Sequence, residues 1–201
     1  MSGQTPFRSI SGIVLTGFMG AGKSTIGALL AERLGWRFVD SDRMVEERAG
    51  TTVAEIFERR GEAAFREMEG EAIRAAAGGE RVVLALGGGA LERAQTREFL
   101  ASLTGWRVIF LEAPFDTLMS RCAGQANAPV RPVLRDRERL AERWKTRLPL
   151  YAAAHVTIAT AERTPEAVIE RILAELGAAL DGAAEPACAA GPERAQPRGA
   201  A

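Results

Sequence analysis

The sequence predicts an α/β domain in three layers, in which a parallel sheet of five strands is covered by helices on both faces. Three observations lead to this fold class. Apolar runs of strand length alternate with stretches of helical periodicity along most of the chain. Each connection between successive strands is long enough to hold a crossover helix, as parallel pairing requires. The first connection opens with a glycine-rich loop that leads directly into a helix.

The glycine-rich loop spans residues 17–25 and reads GFMGAGKST. The apolar run 13–16 before it is predicted as a strand, and the apolar residues of 25–34 after it fit a helix. Glycines allow successive backbone N–H groups to point at phosphate oxygens near the positive end of that helix. The loop therefore predicts a polyphosphate site, with Lys23 reaching the terminal phosphates and Ser24 placing its hydroxyl on Mg²⁺. A plain glycine-rich turn would leave the flanking strand and helix unexplained.

Four further strands follow the loop helix. They correspond to the apolar runs at 36–39, 81–86, 106–111 and 155–158. Helical periodicity, N-cap residues and proline positions predict the connecting helices. Two successive helices are predicted from 51–52 onward, with a break between them at Gly61. Four more are predicted at about 92–103, from Pro114 to about 122, at about 137–148 with an end near 149–151, and from 164–165 to 180.

The chain of 201 residues has a suitable length for one domain with a substantial core. We expect a flexible leader at 1–11, a single domain at 12–180 and a disordered tail at 181–201, which is rich in Ala, Gly and Pro. Within the domain, residues 123–130 have no apolar periodicity and little bulk. A mobile lid is therefore predicted at about 122–136.

The charge balance restricts the possible partners. Lys and Arg number 26, as do Asp and Glu, so the formal net charge is zero and no overall field favours nucleic acid or an anionic membrane. No run of about 18 apolar residues predicts a membrane span, and the first residues lack the apolar centre of a signal peptide. Two distant cysteines fit neither a disulfide framework nor a zinc site. We expect a cytoplasmic monomer with no nucleic-acid or membrane partner.

Candidate binding residues follow two of the predicted strands. Asp40 and Asp42 come directly after the second strand, and a glycine triplet at 87–89 follows the third. Ligands of open α/β sheets bind at this carboxyl edge. Two plainer interpretations stay open at this point: the aspartates could cap the next helix, and the glycines could form only a tight turn.

Two arginines are candidates for binding an anion. Arg66 and Glu69 are spaced i, i+3 in a predicted helix and can meet on one face, whereas Arg147 lies near the end of a later helix. Either arginine could instead be an ordinary surface charge, in an exposed pair of little worth or beside a helix dipole. Phe57 and Phe65 have helical spacing and are expected to be core residues on any interpretation.

Six motifs, in this order along the chain, resemble those of the shikimate kinases, which belong to the nucleoside-monophosphate-kinase-like group of P-loop NTPases. They lie at 17–25, 40–42, 65–69, 87–89, 131–134 and 147–151, and the resemblance covers 12 to about 177. It implies Mg²⁺-dependent transfer of the γ-phosphoryl group of ATP to the 3-hydroxyl of shikimate. The products would be ADP and shikimate 3-phosphate, on the route to the aromatic amino acids.

The resemblance also implies roles for individual residues. The implied shikimate contacts are Asp42, Phe57, Phe65, Arg66, Gly87, Gly88, Gly89 and Arg147, with Glu69 bracing Arg66. The implied ATP contacts are Gly20, Ala21, Gly22, Lys23, Ser24, Thr25, Arg131 and Pro165. The implied magnesium site consists of Ser24 and Asp40. The implied catalytic residues are Asp42, Lys23 and Arg131, with Arg131 in the lid that closes over ATP.

The chemistry of shikimate suits these assignments. Its carboxylate requires bidentate cations, for which Arg66 and Arg147 suit better than lysine. Asp42 is expected to accept a hydrogen bond from the hydroxyl that is phosphorylated, and to take up its proton as the new bond forms. Lys23, Mg²⁺ and Arg131 would stabilise the charge of the transferring phosphoryl group, and lid closure would exclude water.

Two other functions remain as alternatives. A gluconate-kinase-like enzyme for a small molecule would share the loop and the fold. A catalytically inactive, kinase-like binding module is expected to lack Lys23, Asp42 or one of the arginines, all of which this sequence has. Residues 122–130 contain no cation, so Arg121 is the candidate for an adenine contact, with the loop at Pro165 as the opposite wall.

Overall fold

The computed structural model describes residues 9–124 and 136–181, with the side chains of all of these except 179–181. Most of the predicted leader, of the predicted tail and of the predicted lid lies outside the described residues, as does Arg131. Within them, five strands form one parallel sheet in the order β2-β3-β1-β4-β5, which confirms the predicted fold class. The strands are β1 (Gly12–Thr16), β2 (Arg37–Asp40), β3 (Val82–Ala85), β4 (Trp106–Glu112) and β5 (Val156–Ala159).

Helices cover both faces of the sheet, as a parallel sheet requires. They are α1 (Lys23–Leu34), α2 (Ser41–Ala49), α3 (Val53–Ala77), α4 (Ala94–Ser102), α5 (Phe115–Ala123), α6 (Arg137–Ala152) and α7 (Pro165–Asp181), with a one-turn 3-10 helix at Ala90–Glu92. None of these helices, among the described residues, combines the length and apolarity that crossing a bilayer demands.

The central strands are buried because both of their faces contact helices. Every residue of β1 and β3 is buried, and Ile13, Val14 and Leu84 have no exposed surface. A second, smaller apolar cluster joins α2 to α3 through Val45, Ile56, Phe65 and Ala72. This cluster fixes α3 beside the carboxyl edge of the sheet.

The register of the strands brings the candidate site together. Leu15 of β1 pairs with Ala85 of β3, and Ala85 pairs in turn with Asp40 of β2. The three strands therefore end at the same level. The glycine-rich loop, the start of α2 and the glycine triplet all leave the sheet from this edge, which is where ligands of open α/β sheets bind.

Two helix boundaries differ by one or two residues from the sequence-based expectation. The helix expected at about 92–103 begins only at Ala94, after the separate 3-10 turn. The helix expected to end near residues 149–151 continues through Pro149 to Ala152, because a proline in the last turn removes only one hydrogen bond. The expectation of two successive helices separated at Gly61 is confirmed: both lie within α3, and Gly61 interrupts the helical backbone between them with φ 78° and ψ 171°.

Candidate active site

The glycine-rich loop adopts a conformation that its glycines make possible. Gly17, Gly20 and Gly22 have φ of 144°, 77° and 88°, a region that side chains strongly disfavour. Lys23 folds back over the loop and donates hydrogen bonds to the carbonyl oxygens of Gly17 (2.8 Å) and Phe18 (3.0 Å). Among the described residues no side chain caps the N-terminus of α1, so its first backbone N–H groups have no side-chain acceptor. This arrangement suits an anion at the helix N-terminus.

Ser24 and Asp40 form an oxygen pair beside the loop. The hydroxyl of Ser24 donates to Oδ2 of Asp40 at 2.7 Å. The other carboxylate oxygen of Asp40 accepts from the backbone N–H groups of Asp42 (3.0 Å) and Arg43 (3.4 Å), and so caps α2. The capping interpretation of Asp40 is thus correct, but it uses only one of the two oxygens. The second oxygen faces Ser24, and a hydroxyl beside a carboxylate is a donor set that fits Mg²⁺.

Arg66 lies in a buried ion pair, so its interpretation as a solvated surface charge is wrong. Its Nη1 donates to Glu69 at 2.8 Å and its Nη2 donates to Glu62 at 3.2 Å. The side chain of Arg66 is 13% exposed and that of Glu69 only 2%. Burial alone lowers the pKa of Arg66, but the neighbouring carboxylates of Glu69 and Glu62 outweigh it and raise the pKa. The predicted bracing of Arg66 by Glu69 is confirmed.

The carboxyl group of Glu69 is strongly perturbed by its surroundings. Burial raises the pKa of Glu69 to about 7; Arg66 opposes this rise, and the nearby Asp42 carboxylate adds to it. Oε1 of Glu69 is buried and accepts no hydrogen bond from any residue that the structure describes. The protonated form of this carboxyl is therefore favoured below about pH 7.

Close approach, rather than turn geometry, requires glycine at positions 87 and 89 of the triplet. None of Gly87, Gly88 and Gly89 has a positive φ. A methyl group on Gly87 would lie closer than 3.0 Å to carboxylate oxygens of both Glu69 and Asp42. The interpretation of the triplet as only a tight turn is therefore wrong. Side chains from two other elements already fill the space that a methyl group on Gly87 would occupy.

Gly89 separates two guanidinium groups. A methyl group on Gly89 would lie closer than 3.0 Å to the guanidinium of Arg66, and 3.0 Å from Nη2 of Arg147. The two arginines reach this point from α3 and α6, which lie far apart in the sequence. They converge on the backbone of the triplet, so one small anion can contact both of them.

Arg147 is buried, which rules out its interpretation as a charge that only complements the helix dipole. It is 7% exposed, and its Nε and Nη2 donate to the two carboxylate oxygens of Glu92 at 2.9 and 3.1 Å. One turn further along α6, the hydroxyl of Tyr151 donates to the carbonyl oxygen of Gly88. This bond holds the last turn of α6, beyond Pro149, against the triplet.

Sequence reasoning missed Glu92 and the role of Tyr151. Tyr151 could have been found, because its i, i+4 spacing from Arg147 places both on one helix face. Glu92 has no such signal. It lies in a one-turn helix and meets Arg147 across 55 positions of sequence.

Aromatic rings form one side of the site. The rings of Phe57 and Phe65 lie 4.7 Å apart, and the guanidinium of Arg66 lies 5.2 Å from the centre of Phe65. Phe65 is buried in the small cluster between α2 and α3, whereas Phe57 packs against that cluster and stays partly exposed. The two residues are therefore adjacent, as their helical spacing predicts, and both belong to a core.

The phosphate loop and the arginine pair adjoin each other. A methyl group on Gly88 would lie 3.8 Å from the backbone N of Met19, 3.9 Å from the carbonyl O of Gly17, and 3.8 Å from Nη1 of Arg147. An anion on the loop and an acid on the arginines would therefore be near neighbours. That proximity is what a direct transfer between two bound molecules requires.

Arg121 is fixed to the loop that precedes α7. Its Nη1 donates to the hydroxyl of Thr160 at 3.0 Å and its Nη2 donates to the carbonyl of Thr160 at 2.6 Å. Pro165, the first residue of α7, follows this loop and is partly exposed. Arg121 and Pro165 thus belong to neighbouring parts of the structure, which is consistent with the predicted adenine site.

The comparisons with known proteins agree on one family. A family model described as shikimate kinase matches residues 19–177. A shikimate kinase of Symbiobacterium thermophilum is 47% identical over 168 residues, covering 82% of this chain and 95% of the relative. A shikimate kinase of Thermobifida fusca is 46% identical over 171 residues, covering 84% and 96%.

The solved structures lead to the same group. Shikimate kinase from Acinetobacter baumannii in complex with shikimate superposes with a TM-score of 0.79 at 36% identity, covering 86% of this chain and 96% of that one. The match therefore extends over sequence, fold and nearly the whole length of the relatives. This chain belongs to the shikimate kinase family.

Proposed function

We infer that this chain is an ATP-dependent kinase that transfers the γ-phosphoryl group of ATP to the 3-hydroxyl of shikimate. The observation that carries this proposal is the convergence of Arg66 and Arg147 on the glycine triplet, directly beside the phosphate loop. Membership of the family supports the same reaction.

The arginine pair suits the carboxylate of the acceptor. Both guanidinium groups are largely buried, so an anion between them would be attracted more strongly than at the protein surface. Their planar forks fix the direction of a bound carboxylate, and thereby the orientation of the ring. We propose that this pair binds the carboxylate, while Phe57 and Phe65 contact the apolar part of the ring.

Asp42 is our candidate for the group that receives the proton of the reacting hydroxyl. It begins the first turn of α2, at the carboxyl edge of the sheet, and its Oδ1 points at Gly87. Phosphoryl transfer passes through a loose transition state, so correct placement of the hydroxyl contributes more than a strong base does. Asp42 would therefore act mainly by orienting the hydroxyl and then accepting its proton.

Positive charge and backbone donors on the loop would stabilise the transferring phosphoryl group. Lys23 and the backbone of Gly20, Ala21 and Gly22 are proposed to hold the terminal phosphates, and Thr25 follows them on the first turn of α1. The residues that would hold Mg²⁺ are Ser24 and Asp40, and the ion would neutralise charge on the phosphates. Arg131 is proposed to contact ATP, as the family motif implies.

A coupled assay of ADP release tests this function. Purified protein with ATP and Mg²⁺ should release ADP when shikimate is added, and mass spectrometry should detect shikimate carrying one added phosphate. Gluconate should give no more ADP than a reaction without an acceptor. Equal ADP release with and without shikimate would refute the proposal, and release with gluconate alone would assign the chain to the other type of kinase.

A further inference from the structure

Glu92 places a carboxylate of the protein itself on the arginine pair. Its two oxygens accept from Nε and Nη2 of Arg147 at 2.9 and 3.1 Å, and one of them lies 3.6 Å from Nη2 of Arg66. The residue ends the one-turn 3-10 helix that follows the glycine triplet. One side chain thus contacts both of the guanidinium groups that the proposed function assigns to the substrate.

The contacts of Glu92 use the donors that a bound carboxylate would need. Nη1 of Arg66 already donates to the buried Glu69 at 2.8 Å, and its Nη2 donates to the more exposed Glu62 at 3.2 Å. The two arginines approach each other through their Nη2 atoms, and both of these atoms lie beside Gly89. A carboxylate that bridges the arginines beside Gly89 would meet these two atoms. Glu92 is within reach of both of them.

We propose that Glu92 is a specificity-determining residue, whose carboxylate competes with the substrate's carboxylate for the arginine pair and is displaced when the ring acid binds. The proposal rests on the proposed function, because it takes shikimate as the acid. It adds a competition that involves a side chain outside the motifs of the family resemblance.

The position of Glu92 allows this displacement. Its side chain is 38% exposed, whereas that of Glu69 is 2% exposed. Glu92 can therefore turn into water at little cost, because an exposed carboxylate is well solvated, but Glu69 cannot. Until the acid binds, Glu92 keeps the buried Arg147 paired, which avoids the penalty of an isolated buried charge.

The competition has a consequence for selectivity. A ligand that carries a carboxylate regains, on the arginines, the hydrogen bonds that Glu92 gives up. A ligand of the same shape without a negative charge cannot displace Glu92 and leaves the arginines occupied. Competition by Glu92 therefore lowers the affinity for the correct acid, but it lowers the affinity for neutral ring alcohols by a larger factor. The difference between the two factors is a form of discrimination.

The test compares Glu92→Gln with Glu98→Gln. Glu98 is an exposed residue of α4, so this control removes the same charge six positions away. In Glu92→Gln, the KM for shikimate should fall about tenfold, equivalent to about 1.4 kcal/mol. The KM for ATP should not change, and the gain should appear in KM rather than in kcat. Glu98→Gln should behave as the wild type.

Two ligands separate competition from a structural role. Benzoate, a ring carboxylate without hydroxyls, should bind Glu92→Gln about tenfold more tightly in calorimetry. The carboxamide of shikimate, which is neutral and cannot displace Glu92 in the wild type, should gain at least as much affinity from the substitution. Glu92→Asp, with a shorter side chain that reaches Arg147 less well, should lie between the wild type and Glu92→Gln for both acids.

An unchanged or weaker affinity for both acids in Glu92→Gln and Glu92→Asp would overturn the proposal, and would show that Glu92 instead anchors Arg147. That result is distinct from failure of the proposed function, which would be absence of shikimate turnover in the wild type. Benzoate calorimetry decides the competition even in that case, because it requires no turnover.

Discussion

The buried carboxyl group of Glu69 should make the stability of this protein depend on pH in a definite direction. Glu69 lies on α3 and faces Arg66 of the same helix, with Asp42 of α2 and Arg147 of α6 nearby. Burial raises its pKa from 4.5 to about 7, Asp42 adds to the rise, and the two arginines oppose it. We predict that Glu69→Gln removes the resulting pH dependence, because glutamine resembles the protonated acid and cannot ionise.

The sign follows from the protons bound in each state. Between pH 4.5 and about 7, folded Glu69 keeps a proton that the unfolded chain has released, so the free energy of unfolding falls as the pH rises. Each pKa unit between the two states is worth about 1.4 kcal/mol. Because the pKa of Glu69 rises from 4.5 to about 7 on folding, the free energy of unfolding of the wild type falls by about 3 kcal/mol between pH 4.5 and about pH 7.

Urea unfolding at a series of pH values from 4.5 to 8, followed by tryptophan fluorescence, measures this effect. The free energy of unfolding of Glu69→Gln, relative to the wild type, should rise by about 3 kcal/mol across the series. Glu67→Gln is the matched control, because Glu67 is an exposed residue of the same helix. The reasoning would be refuted if the two proteins differed in free energy of unfolding by the same amount at every pH. That result would mean that folded Glu69 is ionised throughout the series.

Three further predictions concern catalysis and binding. Asp42→Asn should lower turnover at least about a hundredfold while calorimetry still detects shikimate binding, since the amide cannot accept the proton; wild-type turnover would remove Asp42 from the chemistry. Gly89→Ala should raise the KM for shikimate more than about tenfold, because its methyl group would displace the guanidinium of Arg66. Gly177→Ala, whose methyl group would meet no atom within 4 Å, is its control and should keep the wild-type KM. Chelation by EDTA should abolish turnover and added Mg²⁺ should restore it, with Asp40→Asn needing a higher Mg²⁺ concentration for half of its maximal rate; turnover that survives EDTA would contradict the magnesium requirement.

The fold could be predicted from the sequence because its signals are local. Buried parallel strands contact helices on both faces, so they consist of nearly continuous apolar residues that stand out from the helices between them. The loop at 17–25 combines a spacing of glycines with a strand before it and a helix after it, and this combination rarely has another meaning. The helix ends were less predictable, since the last turn of α6 depends on a hydrogen bond from Tyr151 to Gly88.

The site could be predicted only in part, for a related reason. Arg66 and Glu69 are three positions apart on one helix, so their pairing can be inferred from the sequence. The pairing of Arg147 with Glu92 depends on how α6 packs against the turn after the triplet. No spacing or composition indicates a contact between residues that far apart, and the steric need for a glycine at position 87 was hidden for the same reason.

The position of Gly88 has a consequence for how such an enzyme can change. A methyl group at this position would lie within 3.9 Å of the loop backbone at Gly17 and Met19 and also of Arg147, which is ordinary van der Waals contact with each. Alanine would therefore fit, whereas a larger side chain would press on the loop and on the arginine together. Such a replacement cannot alter the recognition of one reactant and leave the other unaltered, so independent adaptation to a new acceptor has to proceed through residues that border only one of the two.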